Sequence, residues 1–186
     1  MVRQQKKLKI YEFGNPILRE NAKSLTIKDI KATKIQKLIK EMQEFILSKK
    51  MGVGLAAPQI GKSLALAVVC IRPIKHRKEA KEFDLVIINP QIIKTYGNRI
   101  QQWEGCISAG PLKSGLFAKV PRYKRIELKY HDEKGKQQKK TFEGLAAHII
   151  QHEVDHINGI LFVDKVKDTK TFITYNEYIK LAKKKK

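Results

Sequence analysis

At 186 residues the chain is long enough for one domain with a sizeable core and leaves little room for a second. Lys and Arg total 39 against 18 Asp and Glu, a net charge of +21, so the surface is broadly basic: either it meets a polyanion such as ribosomal RNA, or lysine is simply the favoured solvated residue. Two cysteines exclude a disulfide framework, and neither the charged N-terminus nor any apolar stretch reads as a signal peptide or membrane span, so the expectation is a cytoplasmic protein with no membrane partner.

In chain order, Leu8 to Phe13 alternates like a short strand and is broken by Gly14-Asn15-Pro16. Ile35, Leu38, Ile39, Met42, Phe45 and Ile46 keep the 3.6-residue spacing of an amphipathic helix, with Thr33 and Gln36 as a capping box and Gly52 past its end. Gly52 to Gly61 is rich in residues with little side chain, which lets the backbone approach another chain or a ligand closely; it is neither G-x-G-x-x-G nor a phosphate loop. Gln59 is the polar side chain that stands out there, and a turn glutamine pointing to water is its bland alternative.

Leu64 to Cys70 has strand length, with Cys70 as a small buried hydrophobe. Leu85 to Ile88 before Asn89-Pro90 forms another strand, and Gln91 to Thr95 a third. Arg125 to His131 and Gln137 to Phe142 alternate around Asp132 to Gly135 as a hairpin. Thr174 to Leu181 reads as a short helix running into a lysine-rich tail, about 182–186, and the chain holds no repeat or dividing linker, so 1–186 reads as one domain.

Between hairpin and tail, Leu145 to Phe162 is an apolar run containing H-E-x-x-H, His152 to His156. On a helix at about 100° per residue the two histidines lie one turn apart on one face and can share a divalent metal. Glu153, beside them, can take a proton from a water on that metal. Two histidines on a helix face with no metal would show the same spacing. The apolar flank of Leu145, Ile149, Val154 and Ile157 favours the metal reading, because His and Glu buried there need polar partners.

A catalytic metal needs a third ligand. His148 shares the face but lies about 12 Å along the axis from residue 156, too far for one ion with bonds of about 2 Å. The metzincin pattern runs through Gly159 and meets Phe162 where its last histidine belongs, and a downstream Glu177 lies in the lysine-rich end. Cys106, preceded by a glycine, is the better candidate, against the alternative of an inert buried thiol.

Taken together, Gly52-Val-Gly-Leu-Ala-Ala-Pro-Gln59, Glu104-Gly-Cys-Ile-Ser108 and Gln151-His-Glu-Val-Asp-His156 resemble, in order and spacing, the three signature motifs of the peptide deformylases, and Asn15-Pro-Ile-Leu-Arg19 resembles that family's N-terminal region. The resemblance implies a single-domain α+β fold with mixed or antiparallel strands around a central H-E-x-x-H helix. The implied activity removes the formyl group from N-formylmethionine on nascent chains. It implies Cys106, His152 and His156 as ligands of Fe²⁺, replaceable by Zn²⁺, Ni²⁺ or Co²⁺, with Glu153 as general base and acid. Gln59 and the Ile107 backbone N–H are implied as oxyanion donors, and Val53 and Gly54 as backbone partners of an extended substrate.

The family's methionine pocket maps onto Gln102, Leu145, His148 and Ile149, a more polar lining that would weaken apolar selection. The substrate-contacting arginine common in the family is not found within 109–119, where Lys113 and Lys119 are the stand-ins, and Glu104 with Arg122 is an ion-pair candidate bracing the Cys106 strand. Implied partners are nascent formyl peptides and the ribosome near its tunnel exit, reached through the basic surface, with no DNA. The other readings are a basic RNA-binding relative that keeps the metal as a brace, and a zinc peptidase, which lacks its downstream ligand.

Overall fold

A computed structural model describes residues 8–49, 52–74, 78–111 and 115–184. The helices are α1 (Ile27–Lys31), α2 (Thr33–Leu47), α3 (Gly144–Ile157) and α4 (Tyr175–Lys184). The strands are β1 (Gly54–Ala56), β2 (Leu66–Ile71), β3 (Phe83–Gly105), β4 (Leu116–His131), β5 (Gln137–Glu143) and β6 (Ile173–Thr174). Strands β1 to β5 lie side by side in sequence order, each pair antiparallel, and β6 adds to the start of β4. The fold is thus the expected single-domain α+β arrangement, with an antiparallel sheet.

All six residues of β2 are buried, because both faces of this part of the sheet are covered. Leu66, Val68 and Cys70 face α2 through Ile35, Ile39, Met42 and Ile46, while Ala67, Val69 and Ile71 face α3 through Ala147, Ile150, Val154 and Ile157. Each aliphatic side chain removed from water here contributes roughly 1.5–3 kcal/mol. Two cores sharing one strand hold α3 against the sheet, and α3 carries His152, Glu153 and His156.

Helix α3 stops where expected. Gly159 sits at φ +69°, and the last turn closes with Gly159 N–H donating to His156 O (3.2 Å) and Ile160 N–H to Asp155 O (2.9 Å). The hairpin of β4 and β5 also forms as expected, its turn held by Asp132 Oδ1 accepting from Lys134 N–H and Lys136 N–H at 3.0 and 2.9 Å.

Three local expectations are corrected. Residues 8–13 form no strand; they are tied down singly, Tyr11 N–H to Gln59 O and Phe13 N–H to Ser108 O, both 2.8 Å. The capping box belongs to Thr26 and Asp29 at the start of α1, whereas α2 begins after Ala32 without a side-chain cap and Gln36 donates to Ile30 O and Glu133 O. Asn89-Pro90 does not separate two strands: β3 runs through it as a bulge, with Asn89 at φ +50°.

Candidate metal centre and substrate cleft

Three chain segments deliver the donors. The H-E-x-x-H turn of α3 sets His152 and His156 edge to face, ring centroids 4.8 Å apart. The end of β3 delivers Cys106, whose Sγ lies 3.2 Å from His156 Nε2. One donor atom each from Cys106, His152 and His156 lies within 4.8 Å of the others, a spacing and a thiolate–imidazole set that suit a divalent ion such as zinc or iron. His148 stays out of this group: its Nε2 lies 2.7 Å from Glu104 Oε1 and its Nδ1 2.6 Å from Gln102 Oε1. Phe162, standing where a metzincin would place its third histidine, stacks its ring beside His152 at 6.3 Å.

Behind the donors is a buried charge network. Glu104 takes two hydrogen bonds from Arg122, at 2.6 and 3.0 Å, and lies 2.9 Å from His152 Nδ1, while Arg122 also pairs with Asp155. The expected Glu104–Arg122 pair is therefore real and larger than expected; Asp155 had no signal in the sequence, because its partner lies 33 residues away. Burial works against charge on Glu104, but the bonds from Arg122, His148 and His152 outweigh it and hold the carboxyl well below its ordinary range. An ionised Glu104 on Nδ1 fixes the His152 tautomer and leaves Nε2 for a metal. Burial likewise opposes charge on His152, which Cys106 and Glu104 nevertheless hold well above its usual value; burial and the His152 charge hold His156 well below.

Glu153 is fully enclosed on the same helix, and burial pushes its carboxyl up to about 7, with the His152 charge opposing and the Glu104 charge assisting. It fits because residue 54 is glycine: a Cβ there would sit 2.2 Å from Glu153 Oε1. The close approach expected of the glycine-rich loop is thus made by the acid beside the metal donors. Gln59, from the same loop, does not face water. Its Oε1 accepts from Ala56 N–H at 2.9 Å, which turns Nε2 toward Cys106 Sγ (3.3 Å) and Ser108 Oγ (3.2 Å).

These groups line one cavity of about 610 Å³, within the range that holds a drug-sized or short-peptide ligand. Val53, Gly54, Gln59, Gln102, Cys106, Ile107, Leu145, His148, Ile149, His152 and Glu153 all border it, so the expected site residues converge on it, with His156 just behind. Lys119 lies on its rim, whereas Lys113 falls outside the described residues. Sequence reasoning missed Ser108 and the aromatic side of the cavity, Trp103, Phe117 and Tyr178; the last comes from the expected short helix near the chain's end, which carried no sign of a place in the cleft.

Comparison with known proteins gives one answer. The polypeptide deformylase family model matches residues 7–172. A peptide deformylase 2 of Nostoc sp. is 37% identical over 95% of this chain and 96% of its own length, and a peptide deformylase of Prochlorococcus marinus is 42% identical over 86% and 73%. Among solved structures, a Met-Ala-Ser-bound class I type b peptide deformylase from Acinetobacter baumannii superposes with a TM-score of 0.78 at 31% identity, covering 86% of this chain and 98% of that one. One from Legionella pneumophila gives 0.72 at 34% identity, covering 95% and 93%. The chain belongs to the peptide deformylases, metal-dependent hydrolases that remove the N-formyl group from nascent peptides.

Proposed function

We propose that Cys106, His152 and His156 hold the catalytic metal, Fe²⁺ by preference with Zn²⁺, Ni²⁺ or Co²⁺ able to substitute, and that Glu153 is the general base and acid. The observation that carries this reading is the convergence of those three donors with a buried carboxylate on one cavity. A divalent ion there supplies Lewis acidity, acidifying a water and polarising the formyl oxygen. Glu153 accepts the proton of the attacking water and returns it to the amine that leaves. Gln59 Nε2 and the Ile107 N–H donate to the oxygen on which negative charge develops. Ala56 N–H and Ser108 keep the Gln59 amide aimed, so little reorganisation is needed as the charge forms.

The substrate lies extended along Val53 and Gly54 as an added strand, as suits a relative whose structure contains Met-Ala-Ser. Its methionine enters between Leu145, Ile149, Gln102 and His148. His148 sits between Gln102 Oε1 and Glu104 Oε1, so a thioether entering beside it leaves both ring nitrogens partnered. Residues 1–186 act as one catalytic domain with a short lysine-rich end from about 182. No helix among the described residues is long and apolar enough to cross a membrane, and the protein works in the cytoplasm beside the ribosomal tunnel exit, drawn there by its +21 charge.

Release of formate from formyl-Met-Ala-Ser by anaerobically prepared, Fe²⁺-loaded protein tests the reading. Glu153→Gln should lower kcat on the order of 10²–10⁴-fold with metal still bound stoichiometrically. Full activity in that variant would remove Glu153 from its role. No activity in a fully metallated wild-type protein would leave the metal as a structural brace.

A further inference from the structure

Near its end β3 turns alternate side chains to opposite faces. Gln102 and Glu104 reach His148 and His152 of α3. Trp103 and Gly105 turn the other way, paired in register with Lys119 and Phe117 of β4. On that side Tyr178, from α4, stacks on Phe117 with ring centroids 4.5 Å and planes 13° apart, and tilts against Trp103 at 6.0 Å. The Lys119 ammonium lies 5.6 Å from the centre of the Trp103 ring. The rings reach the cavity because residue 105 is glycine: a Cβ there would fall 2.4 Å from the Phe117 ring. Trp103, Phe117, Lys119 and Tyr178 border the same cavity as Cys106 and Glu153, and the chemistry derived above uses none of them.

We propose that Tyr178, with Phe117, Trp103 and Lys119, forms a specificity-determining wall for the second residue of the substrate, favouring an aromatic side chain there and disfavouring a cationic one. The inference rests on reading the cleft as a formyl-peptide site. A peptide lying extended in the cleft along Val53 and Gly54, beside the end of β3, alternates with the same period of two, so a first side chain on the α3 face sends the second to the face of Trp103 and Tyr178. The three rings there are only half-buried, leaving apolar surface for that side chain to cover. Lys119 on the rim repels a lysine or arginine at the same position and leaves neutral side chains unaffected.

The test compares kcat/KM for formate release from formyl-Met-Phe-Ser, formyl-Met-Ala-Ser and formyl-Met-Lys-Ser. In the wild type the Phe peptide should exceed the Ala peptide about five-fold, chiefly through KM, and the Lys peptide should rank last. Tyr178→Ala should bring the Phe-to-Ala ratio near one, Tyr178→Phe should keep it, and Lys119→Gln should raise the Lys peptide toward the Ala peptide. A Tyr178→Ala protein that processes formyl-Met-Ala-Ser and keeps the wild-type ratio overturns the proposal, as do equal rates on all three peptides in the wild type. Should Tyr178→Ala fail to fold, an unchanged Lys-to-Ala ratio in Lys119→Gln overturns it instead. Wild-type protein that releases no formate from any of the three overturns the formyl-peptide reading itself, a result distinct from the others.

Discussion

Gly54 shows how one missing methyl group shapes the reacting centre. A Cβ there would overlap Glu153, so Gly54→Ala should push the carboxylate off line and lower kcat on the order of 10²-fold while metal content, read by atomic absorption, stays at one per chain. That the loop needed a close approach was legible from its small residues. What approaches was not, because Glu153 comes from a helix a hundred residues on. The same holds for Gln59, whose amide is aimed by Ala56 and Ser108. The two cysteines divide as their sequence contexts suggest. Burial, with the Asp84 charge second, pushes the Cys70 thiol up to about 12, leaving it protonated at pH 8. Iodoacetamide at that pH should therefore modify Cys106 alone in native, metal-stripped protein and both cysteines in guanidinium, as mass spectrometry would show.

Among the elements, β3 departs most from its sequence signal. Asn-Pro reads as a turn, yet the Asn89 side chain accepts from Leu25 N–H (2.9 Å) and donates to Leu25 O (2.8 Å), which holds the left-handed residue and lets the strand continue. The partner is 64 residues away, so no local pattern could reveal it. Asn89→Ala should lower stability by about 2 kcal/mol in urea denaturation. The amphipathic helix α2, the hairpin and the H-E-x-x-H helix were legible because each carries its own periodicity or turn chemistry. The turn Phe162–Lys165 after α3 depends on Asp164, which pairs with Arg19 and accepts from Leu161 N–H at 2.8 Å. Burial raises the Asp164 pKa, but these bonds outweigh it and leave it lowered from 3.8. A lowered folded-state pKa adds stability above the unfolded value and loses it as pH falls through the folded value. Asp164→Asn should therefore reduce Tm at pH 7, by an amount equivalent to less than about 1 kcal/mol for so exposed a pair, and the gap should close below pH 3.8.

At the scale of the molecule, the charge is organised in a way the linear sequence conceals. Strands β3 and β4 bring basic and aromatic residues from separate stretches together: Arg125 and Lys94 lie 4.4 and 5.1 Å from the Tyr96 ring, and Arg99 4.9 Å from Tyr123. If this face carries the proposed attraction to ribosomal RNA, co-sedimentation with ribosomes should weaken steeply with salt, and Arg99→Gln with Arg125→Gln should flatten that dependence by about one unit of log–log slope for each phosphate no longer neutralised. Binding indifferent to salt would sink the idea. The order of the sheet carries a different consequence. Because β1 to β5 sit beside one another in the order in which they are made, the meander can zip up from local hairpins while the chain is still emerging. Two of the three signature segments are then in place before α3 exists, and His152, Glu153 and His156 arrive together with the last large piece of core. Metal capture at the proposed site is thereby expected late in folding: a chain halted before α3 has Cys106 but neither His152 nor His156, so the three-donor set is not yet assembled.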